Sequence, residues 1–244
     1  MKKLSLLAML LVTLGASADN HLPENFSMYQ SNFHFKCDEA EKCFAAFDKY
    51  MTSPEVVSQD FEVDIYSIQH NGWDDATHGV SWYFKDEDQY AKSGQVFVTS
   101  QAGRDFRKTL NDLGVEATQE NLSVHTIGVI IKEGASSNGV NLRWSLEVSN
   151  PAKFLPLWKN FSQSIEKYEW SANGYGLQTH YLGNNGKGIT HEIWAGFDSP
   201  QAALKFLSGM NNSKEFAKYG PMADKYSIFK RSYMEVTLKM YNPD

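Results

Sequence analysis

Histidines set across two sequence turns are the residues with the clearest capacity for chemistry. The segment Gly174 to Leu182 alternates in polarity, breaks at Gly183-Asn184-Asn185-Gly186, and resumes at Thr190-His191. If Asn185-Gly186 forms a two-residue hairpin turn, the register sets His191 opposite His180. His70 and His78 lie across an earlier turn, opposed if Trp73-Asp74-Asp75 is its loop. Paired imidazoles can bind a transition metal, hold a haem, or move protons near neutral pH. No third ligand shares that face, because Glu192 points the other way. No HExxH, Cys-x-x-Cys or EF-hand spacing occurs. No resident metal or other cofactor is therefore expected, and an ordinary solvated hairpin end explains the same histidines.

Two further patterns carry less chemistry than they suggest. The run Gly183 to Gly188 lacks the Gly-Lys-Ser/Thr ending of a phosphate loop and falls in a turn. Cys37 and Cys43, with five residues between them, are spaced to tie a strand end to the first turn of a helix by a disulfide.

The elements that must position these residues occur twice. From Phe33 the pattern runs strand, helix, strand, strand, helix, strand, and it recurs from Leu142. Phe33-His34-Phe35 corresponds to Trp144-Ser145-Leu146, Phe47 to Trp158, Thr77-His78 to Thr190-His191, and Phe84 to Phe197. Asp38 with Glu41, Asn150 before Pro151, Asp86 with Gln89, and Ser199-Pro200 read as helix starts. Pro156 should kink or delay its helix. The second helical segment of each half looks broken, near Gly94 and Ser100 in one and near Gly209 in the other.

These patterns divide the chain into residues 1–18 as signal peptide, 19–31 as leader, 32–133 as a first repeat, 134–140 as linker, and 141–244 as a second repeat. The start, Met-Lys-Lys followed by an apolar run and Ala16-Ser17-Ala18, reads as a bacterial-type export signal cleaved after Ala18. A periplasmic or secreted, non-membrane-spanning protein is expected. Removing Lys2 and Lys3 leaves 21 basic against 29 acidic residues, a net charge of -8. That balance argues against nucleic acid as a partner.

The β-α-β-β-α-β order is the ferredoxin-like unit, and the expected class is α+β. Two tandem copies resemble the dimeric α/β-barrel superfamily, in which two such units join their antiparallel sheets into a barrel. The resemblance implies a range of activities, including cofactor-independent monooxygenases and haem-handling proteins. In the haem-degrading branch a helix histidine binds iron, whereas the helical segments here contain none.

Trp82, Tyr83, Phe84, Trp144, Trp158, Trp170, Tyr175, Trp194 and Phe197 supply aromatic bulk to fill the space between sheets or line a pocket beneath the helices. The preferred reading is an exported protein, monomer or homodimer, that binds a small apolar or aromatic molecule between helices and sheet without strong catalysis. Its ligand-binding candidates are Trp82, His180, Trp194, Tyr175 and His70. The alternative is a monooxygenase-like or haem- or metal-handling enzyme that uses the cross-strand histidines, with His78 or His191 as proton acceptor.

Overall fold

Alternation along the strands builds this molecule, setting apolar residues toward the helices and polar residues toward the interior. The computed structural model describes residues 26–59, 62–132, 139–183 and 187–242; the expected signal peptide and most of the expected linker lie outside them. The first half contains β1 (Tyr29–Lys36), α1 (Ala40–Met51), α2 (Pro54–Val57), β2 (Val63–Gln69), β3 (His78–Phe84), α3 (Glu87–Thr99), α4 (Gln101–Asp112) and β4 (Glu116–Ile130). The second contains β5 (Val140–Val148), α5 (Pro151–Ile165), β6 (Gly174–Leu182), β7 (His191–Phe197), α6 (Pro200–Asn211), α7 (Lys214–Ala223) and β8 (Ser227–Tyr241).

The strands form one closed antiparallel barrel in the order β1-β3-β2-β8-β5-β7-β6-β4. Each half contributes a ferredoxin-like sheet, and the pairs β2 with β8 and β4 with β6 sew the two sheets together at both edges. The halves thus join edge to edge around a shared lumen. Closure leaves no strand edge open to pair with another chain.

Outward-facing residues meet the helices. In the first half Phe35, Val63, Ile65, Val80, Trp82 and Phe84 pack against Phe47, Tyr50 and Phe106. In the second, Leu142, Leu146, Leu177, Ala195 and Phe197 pack against Phe154, Trp158, Ala203 and Phe206. The inner face is mainly polar: Gln30, Asn32, His34, Asp64, Ser81, Gln119, Asn121, Ser123, His125, Arg143, Ser145, Gln178, Glu192, Arg231 and Glu235 are all buried, with Tyr66, Ile68 and Tyr233 among them. Eight strands leave just enough room for side chains to fill the interior. Aromatic packing therefore lies mainly beneath the helices and not between sheets; Trp194 is an inward-facing exception, packed against Phe26 and His125.

Several boundaries are refined. β1 begins at Tyr29, inside the expected leader, and β5 at Val140, at the end of the expected linker. The side chains of Asn150, Asp86 and Ser199 cap α5, α3 and α6, but α1 starts after Glu39 with no side-chain cap, so Asp38 does not serve there. α5 runs continuously through Pro156. The breaks in the second helical segments fall at Ser100 and at Asn212-Ser213, leaving Gly94 and Gly209 inside helices. The Cys37–Cys43 disulfide is formed and joins the residue after β1 to α1, with Cα atoms 6.8 Å apart.

Candidate functional site

Thr77-His78 and Thr190-His191 open β3 and β7 in the same way. In each, the threonine Oγ1 lies 2.8 Å from the following histidine Nδ1. Each threonine oxygen also accepts a backbone N–H just beyond the neighbouring strand's core, from Cys37 in one half and Val148 in the other. Both imidazoles face outward, and the His78 ring stacks on Phe35. Desolvation lowers the pKa of both, that of His191 to about 4, so they rest neutral at physiological pH. Their environment is that of a clip securing the hairpin entry.

The expected cross-strand pairs do not form. β6 and β7 register Thr179 opposite His191, and the His180 backbone N–H donates to Thr190 O. One residue of register separates this arrangement from a paired one, and in a strand that puts the side chains on opposite faces. His180 turns into the barrel, where neither ring nitrogen has a hydrogen-bond partner, while His191 turns toward the helices. In the first half Ser67 lies opposite His78, and His70 sits exposed in the loop with a φ of 55°.

Inside the barrel the charged groups pair with one another. Arg143 Nε donates to Glu235 Oε2 at 2.8 Å, and Arg231 donates to Asp74 Oδ2 at 2.6 Å. Glu192 accepts from Tyr233 Oη at 2.7 Å and from Ser145 Oγ at 3.1 Å. Asp74 descends from the β2–β3 loop, whose Trp73 ring stacks under the Arg231 guanidinium, and so closes one barrel end. Phe26, stacked on Trp194, covers the other. Burial pushes the Asp64 and Glu235 carboxyls up, and the nearby Arg143 cation partly offsets the rise. No group of three or more His, Cys, Asp or Glu side chains able to hold a metal ion occurs among the described residues. This interior is a polar and ionic core in which Asp64 Oδ1, Arg143 Nη1, Gln178 Oε1 and both His180 ring nitrogens, among others, are buried without a hydrogen-bond partner.

The open space is elsewhere. Between the outer face of the second sheet and α5, α6 and α7 lies a cavity of about 380 Å³. Leu146, Ile193 and Ala195 form its floor, Trp158, Phe161 and Ile165 one wall, and Phe206, Met210 and Tyr219 another. Tyr175 Oη donates to the Glu166 carboxylate, and both residues line the space. Desolvation and that hydrogen bond drive the Tyr175 pKa upward, so the phenol keeps its proton. Volume and lining suit a small organic molecule.

In the first half rings fill the space between helices and sheet, and the open volume, about 580 Å³, lies instead between α1 and α4. It is lined by Lys42, Lys49, Glu55, Asp105 and the edges of Tyr50 and Phe106, with no strand residue at its floor among the described residues. Tyr50 stacks on Phe106 at 4.8 Å, and Phe47 meets Phe106 edge-on at 4.8 Å. Trp82, beneath Tyr50, is therefore core packing. Of the candidates drawn from the sequence, Tyr175 lines the cavity and Trp194 reaches its floor from β7 with its ring toward the interior; Trp82, His70, His180, His78 and His191 do not line it. Glu166, Phe206, Met210 and Tyr219 were not foreseen. The apolar stripe of α5 indicated a buried face but could not show that it would fail to close on α6 and α7.

No protein-family model and no curated protein sequence matches the chain. Solved structures do. A candidate monooxygenase from Fusobacterium nucleatum superposes with a TM-score of 0.62 at 16% identity, covering 88% of this chain and 93% of that one. An anthrone oxidase-like protein gives a TM-score of 0.58 at 10% identity, with 89% and 94% covered. A haem-binding protein from Thermus thermophilus gives 0.54 at 12%, with 90% and 96% covered. At such identities the likeness establishes the fold alone.

Haem can be tested against the donors present. The cavity is lined by no histidine or cysteine among the described residues, and the two cysteines are joined in the disulfide. Its oxygen and sulfur donors include Met210, Tyr219 and Tyr175, the last engaged by Glu166. The usual proximal imidazole or thiolate has no counterpart, so the lining does not fit a haem site of that kind.

Proposed function

We propose, from the premise that this chain has the dimeric α/β-barrel fold in a single duplicated polypeptide, that it binds a small apolar or aromatic molecule in the second-half cavity. The observation that carries this reading is the asymmetry between the halves. In the first half rings fill the space between helices and sheet and leave only a charge-lined groove between α1 and α4, whereas in the second the opening reaches the apolar floor of the sheet. Protein interiors are close-packed, so a space of this size lined by Trp158, Phe161 and Phe206 is a feature to be explained by an occupant. We also place the protein outside the cytoplasm, a reading supported by the Cys37–Cys43 disulfide and the export-type start.

An oxygenase-like role is the second reading, and the names of two structural neighbours favour it. For such chemistry the carboxylate of Glu166, which lines the cavity, is the proton acceptor in place, whereas His78 and His191 stand outside. Titration of the purified protein with 2-naphthol, followed by tryptophan fluorescence, tests the binding reading. Saturable quenching is expected, because Trp144 and Trp158 line the cavity. Ala195→Leu, which fills the floor, should weaken binding at least about tenfold while the far-ultraviolet circular dichroism stays unchanged. No quenching in the unaltered protein overturns the proposal.

A further inference from the structure

The charge of the cavity lining narrows what can enter it. Among the described residues, its ionisable side chains other than tyrosine are Glu166 and Asp224, and no lysine, arginine or histidine lines it. Neutral polar groups come from Ser162, Ser171, Asn211 and Ser227, distributed among otherwise apolar walls. Glu166 follows the last turn of α5 and is half-buried, and its carboxylate already accepts the Tyr175 phenol proton at the wall. The nearby lysine of the same segment, Lys167, is turned to Glu215 at 3.2 Å on the exposed side and supplies no counter-charge to the cavity. Asp224 follows α7 at the rim.

We infer that the cavity selects neutral or cationic aromatic molecules that carry a hydrogen-bond donor, such as a phenol or an amine, and rejects anionic ones such as carboxylates. This rests on the binding reading above and specifies the chemical class of its ligand. Three features combine to give it. A carboxylate on a partly desolvated wall attracts a cation and accepts from an O–H or N–H donor. A ligand carboxylate placed there would meet a like charge without any basic partner, and it would lose its own hydration on entering an apolar chamber. The tryptophan and tyrosine rings of the walls favour a cationic or neutral guest over an anionic one, since ring faces are electron-rich. Specificity here comes from the unfavourable pairing as much as from the favourable one.

A matched set of naphthalenes separates this inference from the reading beneath it. The unaltered protein is titrated at neutral pH with 2-naphthylmethylamine, 2-naphthol and 2-naphthoate, which share one ring system and differ in the charge of a single group. The amine and the naphthol are expected to bind, and the naphthoate to bind at least about tenfold more weakly than the naphthol. In the Glu166→Gln variant, and further in Glu166→Gln with Asp224→Asn, the gap between naphthol and naphthoate should close, chiefly through tighter naphthoate binding. Naphthoate binding as tight as naphthol in the unaltered protein overturns the charge selection and leaves the cavity reading standing. A gap that persists in the doubly substituted protein overturns the assignment to these two carboxylates. Failure of all three probes overturns the binding reading itself.

Discussion

His125 shows how position overrides residue type. Its imidazole is buried in the barrel, within 3.0 Å of Gln30 Oε1, and desolvation together with the Arg143 cation pushes its pKa down to about 3. The unfolded-state value is about 6.5. Above pH 6.5 the ring is neutral in both states and its contribution is constant. As pH falls from 6.5 toward 3 the unfolded chain takes up a proton that the folded one does not. Stability is therefore lost on acidification, by at most about 1.4 kcal/mol per pH unit for this group. Asp64 and Glu235, whose carboxyls are raised by burial, act in the opposite sense at pH values above the ordinary carboxylate value of about 4. The contribution of His125 is thus read as a difference between two proteins. In His125→Gln, stability from urea unfolding should fall less steeply between pH 6.5 and 4 than in the unaltered chain; parallel profiles would refute the assignment. From the sequence, four of the seven histidines, His70, His78, His180 and His191, invited functional readings, but a face cannot be assigned to His180 or His191 without the register.

At the scale of elements, the duplication extends to how helices are broken. Ser100 ends α3 by extended backbone and at once caps α4, its Oγ accepting the Gly103 N–H at 2.9 Å. Ser213 performs the same capping at the start of α7, accepting from Phe216 N–H at 3.1 Å. Gly103 is required beside this corner because any Cβ there would collide with the backbone of Phe97. Ser100→Ala should destabilise the protein by about 1 kcal/mol, measured from the urea midpoint, with little effect on binding in the opposite half. An unchanged midpoint would show that the cap is not contributing. The starts of α3, α5 and α6 were legible, since Asp86, Asn150 and Ser199 are short acceptors standing before apolar periodicity, whereas the caps at Ser100 and Ser213 were not read as helix starts. The start of α1 was misjudged because Asp38 lies between Cys37 and Cys43, whose disulfide constrains the same few residues.

For the whole molecule, the two seams of the barrel make the halves interdependent. The Arg231–Asp74 pair joins β8 of the second half to the β2–β3 loop of the first, and Arg143 with Glu235, though both lie in the second half, is covered from water by the first sheet. Four of the six tryptophans, Trp144, Trp158, Trp170 and Trp194, lie in the second half, so tryptophan fluorescence reports mainly that half. Far-ultraviolet circular dichroism reports both. The two signals should trace a single coincident urea transition, and a separation between them would contradict shared cooperativity.

The sequence by itself determined the repeated order of elements, most helix caps, the disulfide pair and the apolar faces that lie beneath the helices, because each depends on periodicity or spacing within a few residues. Only the tertiary structure decided that the inner faces would be an ionic core, that the histidines would sit apart, and that rings would fill the space between helices and sheet in one half and leave it open in the other. Those outcomes depend on register and on volumes summed across elements far apart in the chain. A one-residue slip reverses a strand's faces, and Tyr50 with Phe106 fills a space that Phe161 and Phe216 leave open.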